Sequence, residues 1–164
     1  MDHSVKPFVS EAKWEPTRPR ILVIACSDGR LQEAVDEFLA SLGILCYDRL
    51  YAPGGPGALA SSGVDYLRSG QLRKECAFLV EAHQIEEAIL LFHGPAEGGP
   101  EHAVCADYHR KLLACTPEKA RAQQLADIAE ILRESFGWRR EVNVRIFRAE
   151  VLPDRRVAFV PIPF

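Results

Sequence analysis

Four side chains suited to metal or acid–base chemistry lie close behind two apolar stretches of the chain. Cys26 is the last residue of one apolar run, Asp28 and Arg30 follow it at intervals of two residues, and His93 directly follows another run. Zinc accepts both a thiolate and an imidazole, because this cation is borderline-soft. The Asp28 carboxylate can add an oxygen, and the Arg30 guanidinium can hold it in a two-pronged, charge-assisted pair. These residue types therefore predict a zinc site with an ionised carboxylate beside it.

The elements that must position these side chains alternate between strands and helices. Continuous apolar, partly β-branched runs predict strands, and apolar residues at helical spacing predict helices. Strands are expected at residues 21–26, 44–51, 88–92, 142–151 and 156–162, and helices at 31–42, 61–80, 101–113 and 117–136. This alternation predicts an α/β fold with a mostly parallel β-sheet flanked by helices. Because parallel sheets bind ligands at the carboxyl ends of their strands, we expect Cys26 and His93 on one edge.

Local signals predict where several helices begin and end. Gly43 is expected to end the first helix, Ser61 or Ser62 to cap the second, and Thr116 to cap the last. The Pro-Gly-Gly-Pro-Gly segment at residues 53–57 lacks the Lys-Ser/Thr ending of a phosphate-binding loop. We interpret it as a tight turn that carries backbone close to the site.

Composition excludes several classes of protein. A chain of 164 residues that is 48% hydrophobic and 26% charged is expected to form one globular α/β domain, at residues 21–164, after an extended arm at 1–20. Its net charge of −3 gives no reason to expect nucleic acid or a membrane surface as a partner, and its apolar runs are too short to span a bilayer. Five cysteines without a charged-then-apolar leader favour reduced thiols in the cytoplasm.

The segment Cys26-Ser-Asp28-Gly-Arg30, directly after a buried strand, resembles the Cys-x-Asp-x-Arg signature of β-class carbonic anhydrases. The order of elements from Ile21 to the loop after His93 is also similar to that family, over rather less than half of the chain. The resemblance implies the β-carbonic-anhydrase fold and a zinc ion bound by Cys26 and His93. It implies that Asp28 and Arg30 either orient the zinc-bound water or let Asp28 complete the coordination. It further implies carbonate dehydratase activity and a homodimer in which the N-terminal arm packs on the partner.

The chain departs from the family pattern at the third ligand. The family has a Cys three residues after its His, and this chain has Ala96 there. The family's Arg-Asn-Ala-Gly segment after the second strand is also absent. Glu97 in the following loop is a substitute oxygen ligand, and His102, Cys105 and His109 share one face of the third predicted helix. We interpret that trio first as the polar edge of an ordinary helix and second as a source of the missing ligand.

The motif and its departure together predict a carbonic-anhydrase-like zinc protein. A zinc ion held there lowers the pKa of a bound water towards ~7, and the hydroxide attacks carbon dioxide to give bicarbonate. Because the methyl group of Ala96 cannot bind zinc, we expect a lower zinc affinity and inefficient hydration unless another side chain replaces it. Two other functions fit the sequence: a non-catalytic scaffold that binds a small anion near Arg30, and a zinc hydrolase for another small electrophile.

The remaining cysteines and the basic C-terminal third have ordinary interpretations. Three cysteines in apolar patterns, Cys46, Cys76 and Cys115, are expected to be core residues. The arginines of the last third are expected on a solvated strand face or in a subunit contact, because the aromatic residues of a nucleic-acid stacking surface are absent. These arginines are Arg139, Arg140, Arg145, Arg148, Arg155 and Arg156.

Overall fold

A central five-stranded sheet organises the chain in the computed structural model, which describes residues 7–63, 65–136 and 142–164. The strands are β1 (Ile21–Cys26), β2 (Asp48–Ala52), β3 (Glu87–Pro95), β4 (Asn143–Val151) and β5 (Val157–Pro161). The helices are α1 (Gln32–Ser41), α2 (Tyr66–Ala82), α3 (Ala106–Lys111) and α4 (Pro117–Ile131), which continues into a π-helical turn at Leu132–Phe136. The predicted α/β fold with a mostly parallel sheet is confirmed.

The order of the strands explains where a site can form. The sheet runs β2-β1-β3-β4-β5, with β5 antiparallel to β4 and the other pairings parallel. After β1 the chain moves outward to β2, and it then returns to the other side of β1 to form β3. A crevice therefore opens between the carboxyl ends of β1 and β3, where ligands of open α/β sheets bind. Cys26 ends β1 at this crevice, and β3 carries His93 to the same edge.

Each face of the sheet is covered by helices. On one face, α2 and α4 pack on alternate residues of β1 and β3, including Leu22 and Leu90. On the other face, α1 packs on the intervening residues, including Val23 and Ile89. Both strands are apolar on both faces, which is typical of parallel strands buried between two helical layers. The two layers fix β1 and β3, and therefore the backbone that carries the site.

The second strand begins later than the sequence predicts. Gly43 adopts a left-handed φ of 77°, and Ile44 donates its N–H back to Leu39 O at 2.9 Å, so the residues after α1 are still bonded to the helix end. Left-handed glycines with such a back-bonded neighbour commonly end helices. The strand therefore starts at Asp48, and Cys46 is exposed in the connection, so its prediction as a core residue was wrong.

The arginine prediction fails at one position. Arg148 in β4 is only 5% exposed, because its face of the strand lies beneath α4. Burial, with a contribution from nearby Arg121, lowers the pKa of Arg148 to about 10. Arg139 and Arg140 lie outside the described residues.

The segment before β1 contains no helix or strand over residues 7–20. Two of its aromatic side chains, Phe8 and Trp14, are 92% and 86% exposed. None of the described helices combines the length and apolar character that crossing a bilayer requires.

The N-cap of α2 yields a first prediction. The helix starts at Tyr66 and is capped by Asp65, whose carboxylate accepts the N–H of Arg68, so the predicted caps Ser61 and Ser62 were wrong. Replacing Asp65 by alanine should lower the free energy of unfolding by about 1 kcal/mol, since a helix donor loses its partner. Urea denaturation measures this loss. Ser61→Ala is the matched control and should change stability by less than about 0.5 kcal/mol; a larger loss in the control than in Asp65→Ala would contradict this assignment.

Candidate metal site

Three metal-binding side chains converge at the crevice between β1 and β3. The ligand atoms of Cys26, His93 and Cys105 all lie within 4.8 Å of one another. The two sulfur atoms are 3.8 Å apart. Two sulfurs and one nitrogen are a donor set that suits zinc or another thiophilic metal and does not suit magnesium or calcium.

The imidazole of His93 is oriented for metal binding. The residue is 4% exposed, and its Nδ1 faces the carbonyl oxygen of Ala103 at 3.2 Å. This carbonyl can only accept, so Nδ1 carries the proton and Nε2 presents its lone pair. Nε2 is buried and has no hydrogen-bond partner among the described residues. A backbone carbonyl that fixes one nitrogen while the other stays free is the arrangement that metal-bound histidines use.

Cys105 reaches the site because the third predicted helix is interrupted. A 3₁₀ turn at Glu101–Ala103 is followed by extended backbone at Val104 and Cys105, and α3 begins only at Ala106. The predicted common face of His102, Cys105 and His109 was therefore wrong. Cys105 is buried in the cluster, whereas both histidines are exposed. The break turns the thiol towards β1.

The strand that carries His93 explains why the next positions supply no ligand. β3 does not end at Phe92, as the sequence predicts, but continues to Pro95 in pairing with β4. The N–H of Ala96 then bonds to Val151 O at 2.9 Å, which places this residue beside β4. Glu97 is exposed and lines a surface cleft with α4, away from the three ligand atoms.

Asp28 and Arg30 form the predicted two-pronged pair. Arg30 Nε lies 2.9 Å from Asp28 Oδ1 and 3.1 Å from Oδ2, and the backbone N–H of Arg30 also donates to Oδ1 at 3.1 Å. These bonds lower the pKa of Asp28 to about 2, so its carboxylate is ionised at neutral pH. The same side chain caps the short 3₁₀ turn at Gly29–Leu31. Asp28 therefore serves as both a cap and an oriented acceptor.

The two thiols influence each other's ionisation. Hydrogen bonding to Cys105, helped by His93 and by the backbone N–H of Gly54, lowers the pKa of Cys26 against the opposing effect of burial. The same contact, reinforced by burial, raises the pKa of Cys105. A thiolate and a neighbouring thiol thus share one proton at the crevice.

A pocket opens beside the three ligand atoms. It has a volume of about 210 Å³ and is lined by His93, the Asp28–Arg30 pair and the exposed His102. Most of its other walls are apolar, and they come from the turn before β1's helix, the loop after β3 and the β4–β5 hairpin: Leu31, Pro100, Ala103, Val151 and Val157. Arg155 completes the lining. A small molecule can therefore reach Asp28 and His93 through a largely apolar opening.

Two contributors to the site have no signature in the sequence. The carbonyl of Ala103 orients His93 and the N–H of Gly54 contacts Cys26, yet every residue type except proline offers both groups. The glycines at residues 54 and 55 are a partial signal, because left-handed backbone favours glycine and their φ angles are 93° and 56°.

Comparisons with known proteins identify the fold. No protein-family model matches the chain, and no curated protein matches it. The solved structure of the β-carbonic anhydrase CcaA superposes with a TM-score of 0.52 at 15% identity, covering 90% of this chain and 79% of that one. Carbonic anhydrase from Streptococcus mutans gives 0.50 at 18% identity, covering 91% and 87%. A β-carbonic anhydrase of Trichomonas vaginalis gives 0.47 at 14% identity, covering 96% and 90%.

These identities are low, so the similarity concerns the fold alone. The five-stranded, mostly parallel sheet with helices on both faces is common to this chain and to the two structures with the higher TM-scores. The chain therefore has a β-carbonic-anhydrase-like fold, with a cluster of residues that could hold a metal ion at the carboxyl edge of its sheet.

Proposed function

We propose that this protein binds one zinc ion through Cys26, His93 and Cys105 and hydrates carbon dioxide to bicarbonate. The observation that carries the proposal is the three-donor cluster beside a carboxylate that is already engaged by Arg30. Catalytic zinc sites typically have three protein ligands and one open position, whereas structural sites are closed by four. The β-carbonic-anhydrase-like fold supports the same proposal.

The residues present fit a zinc ion. The free Nε2 of His93 is buried without a partner, which is unfavourable unless a metal or a proton occupies it. Cys26 and Cys105 supply two sulfurs, so the relocated thiol compensates for the cysteine that is missing at Ala96. When bound there, zinc would acidify a water molecule so that it can attack an electrophilic carbon near neutral pH.

The chain's own residues would orient the reactants. Arg30 holds both carboxylate oxygens of Asp28, which keeps this side chain ionised and in one position. We propose that Asp28 accepts a hydrogen bond from the attacking water and fixes its lone pair towards the substrate. The apolar walls of the neighbouring pocket suit carbon dioxide, which has no charge and accepts hydrogen bonds poorly.

Metal analysis and stopped-flow hydration test the proposal. Protein purified without chelator should contain one zinc per chain, and its hydration rate should be lost after chelation and return with zinc. Purified protein that holds no zinc, or that does not take up added zinc, would refute the metal site. Stoichiometric zinc without hydration would refute the reaction and favour the scaffold function.

The pocket favours a second candidate, a zinc hydrolase that acts on a larger electrophile. Its volume of about 210 Å³ exceeds what a triatomic substrate fills, since one water occupies ~30 Å³ of the liquid. Hydrolysis of p-nitrophenyl acetate by the zinc-loaded protein distinguishes the two reactions. Ester hydrolysis that far outpaces carbon dioxide hydration would support the second candidate.

We further propose a cytoplasmic homodimer. The exposed aromatic residues of the arm, Phe8 and Trp14, support packing on a partner, because large apolar side chains are rarely left in water. Five free cysteines suit a reducing compartment. Light scattering of the purified protein measures the assembly, and a monomer mass would contradict it.

A further inference from the structure

The two thiols of the candidate site come from segments 79 positions apart, and a glycine loop lies between them. We propose that Tyr108, Lys111 and Asp127 are positioning residues that, together with this loop, hold the Cys105 thiol beside Cys26. The proposal deepens the proposed function, on which it rests, by naming what sets the distance between the two sulfur ligands.

One side of the glycine loop packs against the end of β1. A Cβ on Gly55 would lie 2.7 Å from the backbone nitrogen of Cys26, which is too close for any side chain. Gly54 donates its N–H to the Cys26 sulfur. Both glycines are left-handed, so the loop needs them for its conformation as well as for its close approach. The loop therefore lies directly on the Cys26 backbone.

The other side of the loop packs against α3. A Cβ on Gly54 would lie 2.5 Å from the carboxylate of Asp107, and a Cβ on Gly57 would collide with the Tyr108 hydroxyl. Arg68 joins the two parts, since it donates to Asp107 Oδ1 at 3.0 Å and to the Pro53 carbonyl. The loop is thus a spacer of fixed thickness between Cys26 and the helix that follows Cys105.

A buried polar network fixes α3 against this spacer. The Tyr108 hydroxyl donates to Asp127 Oδ2 at 2.7 Å, and Lys111 Nζ donates to the same oxygen at 3.0 Å. Lys111 also donates to Gly57 O at 2.6 Å. The Lys111 and Asp127 side chains are 4% and 1% exposed, so leaving either charge unpaired is strongly unfavourable. The network therefore accepts one arrangement of α3, α4 and the loop.

Tyr108 connects this network to the thiol. Its backbone N–H donates to Cys105 O at 3.0 Å, and its ring is fully buried in the same apolar cluster as Cys105. A rotation or shift of the first turn of α3 would move both residues together. Residues that orient metal ligands typically change metal affinity by 10- to 100-fold when replaced.

Tyr108→Phe tests the proposal with little risk to folding, because Asp127 keeps its bonds to Lys111 and Gln123. Tyr47→Phe is the matched control, since it removes a similar bond to Asp36, of 2.8 Å, far from the thiols. Zinc affinity should fall about 10-fold or more in Tyr108→Phe and stay unchanged in Tyr47→Phe. In the cobalt(II)-loaded variant, the sulfur-to-cobalt charge-transfer absorption should weaken towards that of one thiolate, which a general loss of stability would not produce.

A second measurement needs no metal. Phenylarsine oxide bridges two adjacent thiols, forming two arsenic–sulfur bonds and releasing its oxygen with the two thiol protons as water. Mass spectrometry of peptides follows the Cys26–Cys105 bridge in metal-free protein. We expect rapid bridging in the wild type and in Tyr47→Phe, and bridging slowed by a factor similar to the loss of zinc affinity in Tyr108→Phe.

The outcomes separate the two proposals. A wild type that binds no zinc, but is bridged rapidly while Tyr108→Phe is bridged slowly, would refute the proposed function and uphold the positioning role. Equal bridging in the wild type and Tyr108→Phe, with equal zinc affinity where zinc is bound, would overturn the positioning role. Slow bridging in the wild type would overturn it as well, because the thiols would then not be held together.

Discussion

Replacing Cys105 by serine is expected to lower the zinc affinity by at least 100-fold. Zinc sites with four protein ligands bind with ~10–16 kcal/mol, which corresponds to about 3 kcal/mol for each ligand. Serine preserves the volume of the side chain but offers a hydroxyl, which stays protonated and binds zinc weakly near neutral pH. Competition with a chromophoric chelator measures the affinity, and carbon dioxide hydration should disappear in parallel at limiting zinc.

The exposed Cys46 provides the matched control for this experiment. It lies in the connection before β2, away from the three ligand atoms, so Cys46→Ser should bind zinc as the wild type does. Unchanged zinc affinity in Cys105→Ser would contradict the assignment of Cys105 as the third ligand. An equal loss in both variants would point to a nonspecific effect of removing thiols and would contradict it too.

Replacing Asp28 by asparagine is expected to separate zinc binding from catalysis. Both oxygens of Asp28 are held by Arg30, and Asp28 is not one of the three clustered donors, so the zinc content should not change. Asparagine substitutes an amide donor for one of the two acceptor oxygens, and it loses the charge that Arg30 pairs with. We expect the hydration rate of the zinc-loaded protein to fall by about 100-fold or more, as for other positioned acid–base groups.

A second Asp-x-Arg pair in the same chain controls for the loss of the pair itself. Asp154 accepts the backbone N–H of Arg156 at 3.1 Å and its Nε at 2.7 Å, in the exposed turn between β4 and β5. Asp154→Asn should therefore leave both zinc content and hydration unchanged. Loss of zinc in Asp28→Asn would contradict the proposed division of roles, and full hydration activity in that variant would remove Asp28 from the reaction.

The position of the site follows from the sequence through strand chemistry. The apolar runs that end near Cys26 and His93 are long enough to identify buried parallel strands, and parallel strands meet at a common edge. The Asp28–Arg30 pair forms within five residues of Cys26, so local geometry alone predicts it. Thr116 caps α4 as predicted, because a cap is likewise a local interaction.

The third ligand could not be selected from the sequence because its position depends on a helix break. Apolar and polar residues at 101–113 have helical spacing, yet the structure replaces one turn by extended backbone at Val104 and Cys105. The carbonyl of Ala103 is thereby directed at His93, and Tyr108 is drawn towards Asp127. These contacts join segments that are far apart in sequence, so no local pattern reports them. Tertiary packing overrides helical periodicity at this point.

The same reasoning explains why Ala96 is not a gap in the site. The sequence places the loss of a ligand three residues after His93, but β3 carries that position along β4. The missing function is instead provided by a thiol that approaches from α3. A cluster with the donors of a zinc site can thus persist in a fold when one donor changes its place in the chain.

Anomalous diffraction from crystals of the zinc-loaded protein, measured on both sides of the zinc absorption edge, tests the central claim most directly. The account predicts a single peak per chain that lies ~2.3 Å from the sulfurs of Cys26 and Cys105 and ~2.0–2.1 Å from His93 Nε2. The Asp28 carboxylate should remain on Arg30. A peak that excludes Cys105, or the absence of any peak at these three side chains, would contradict it.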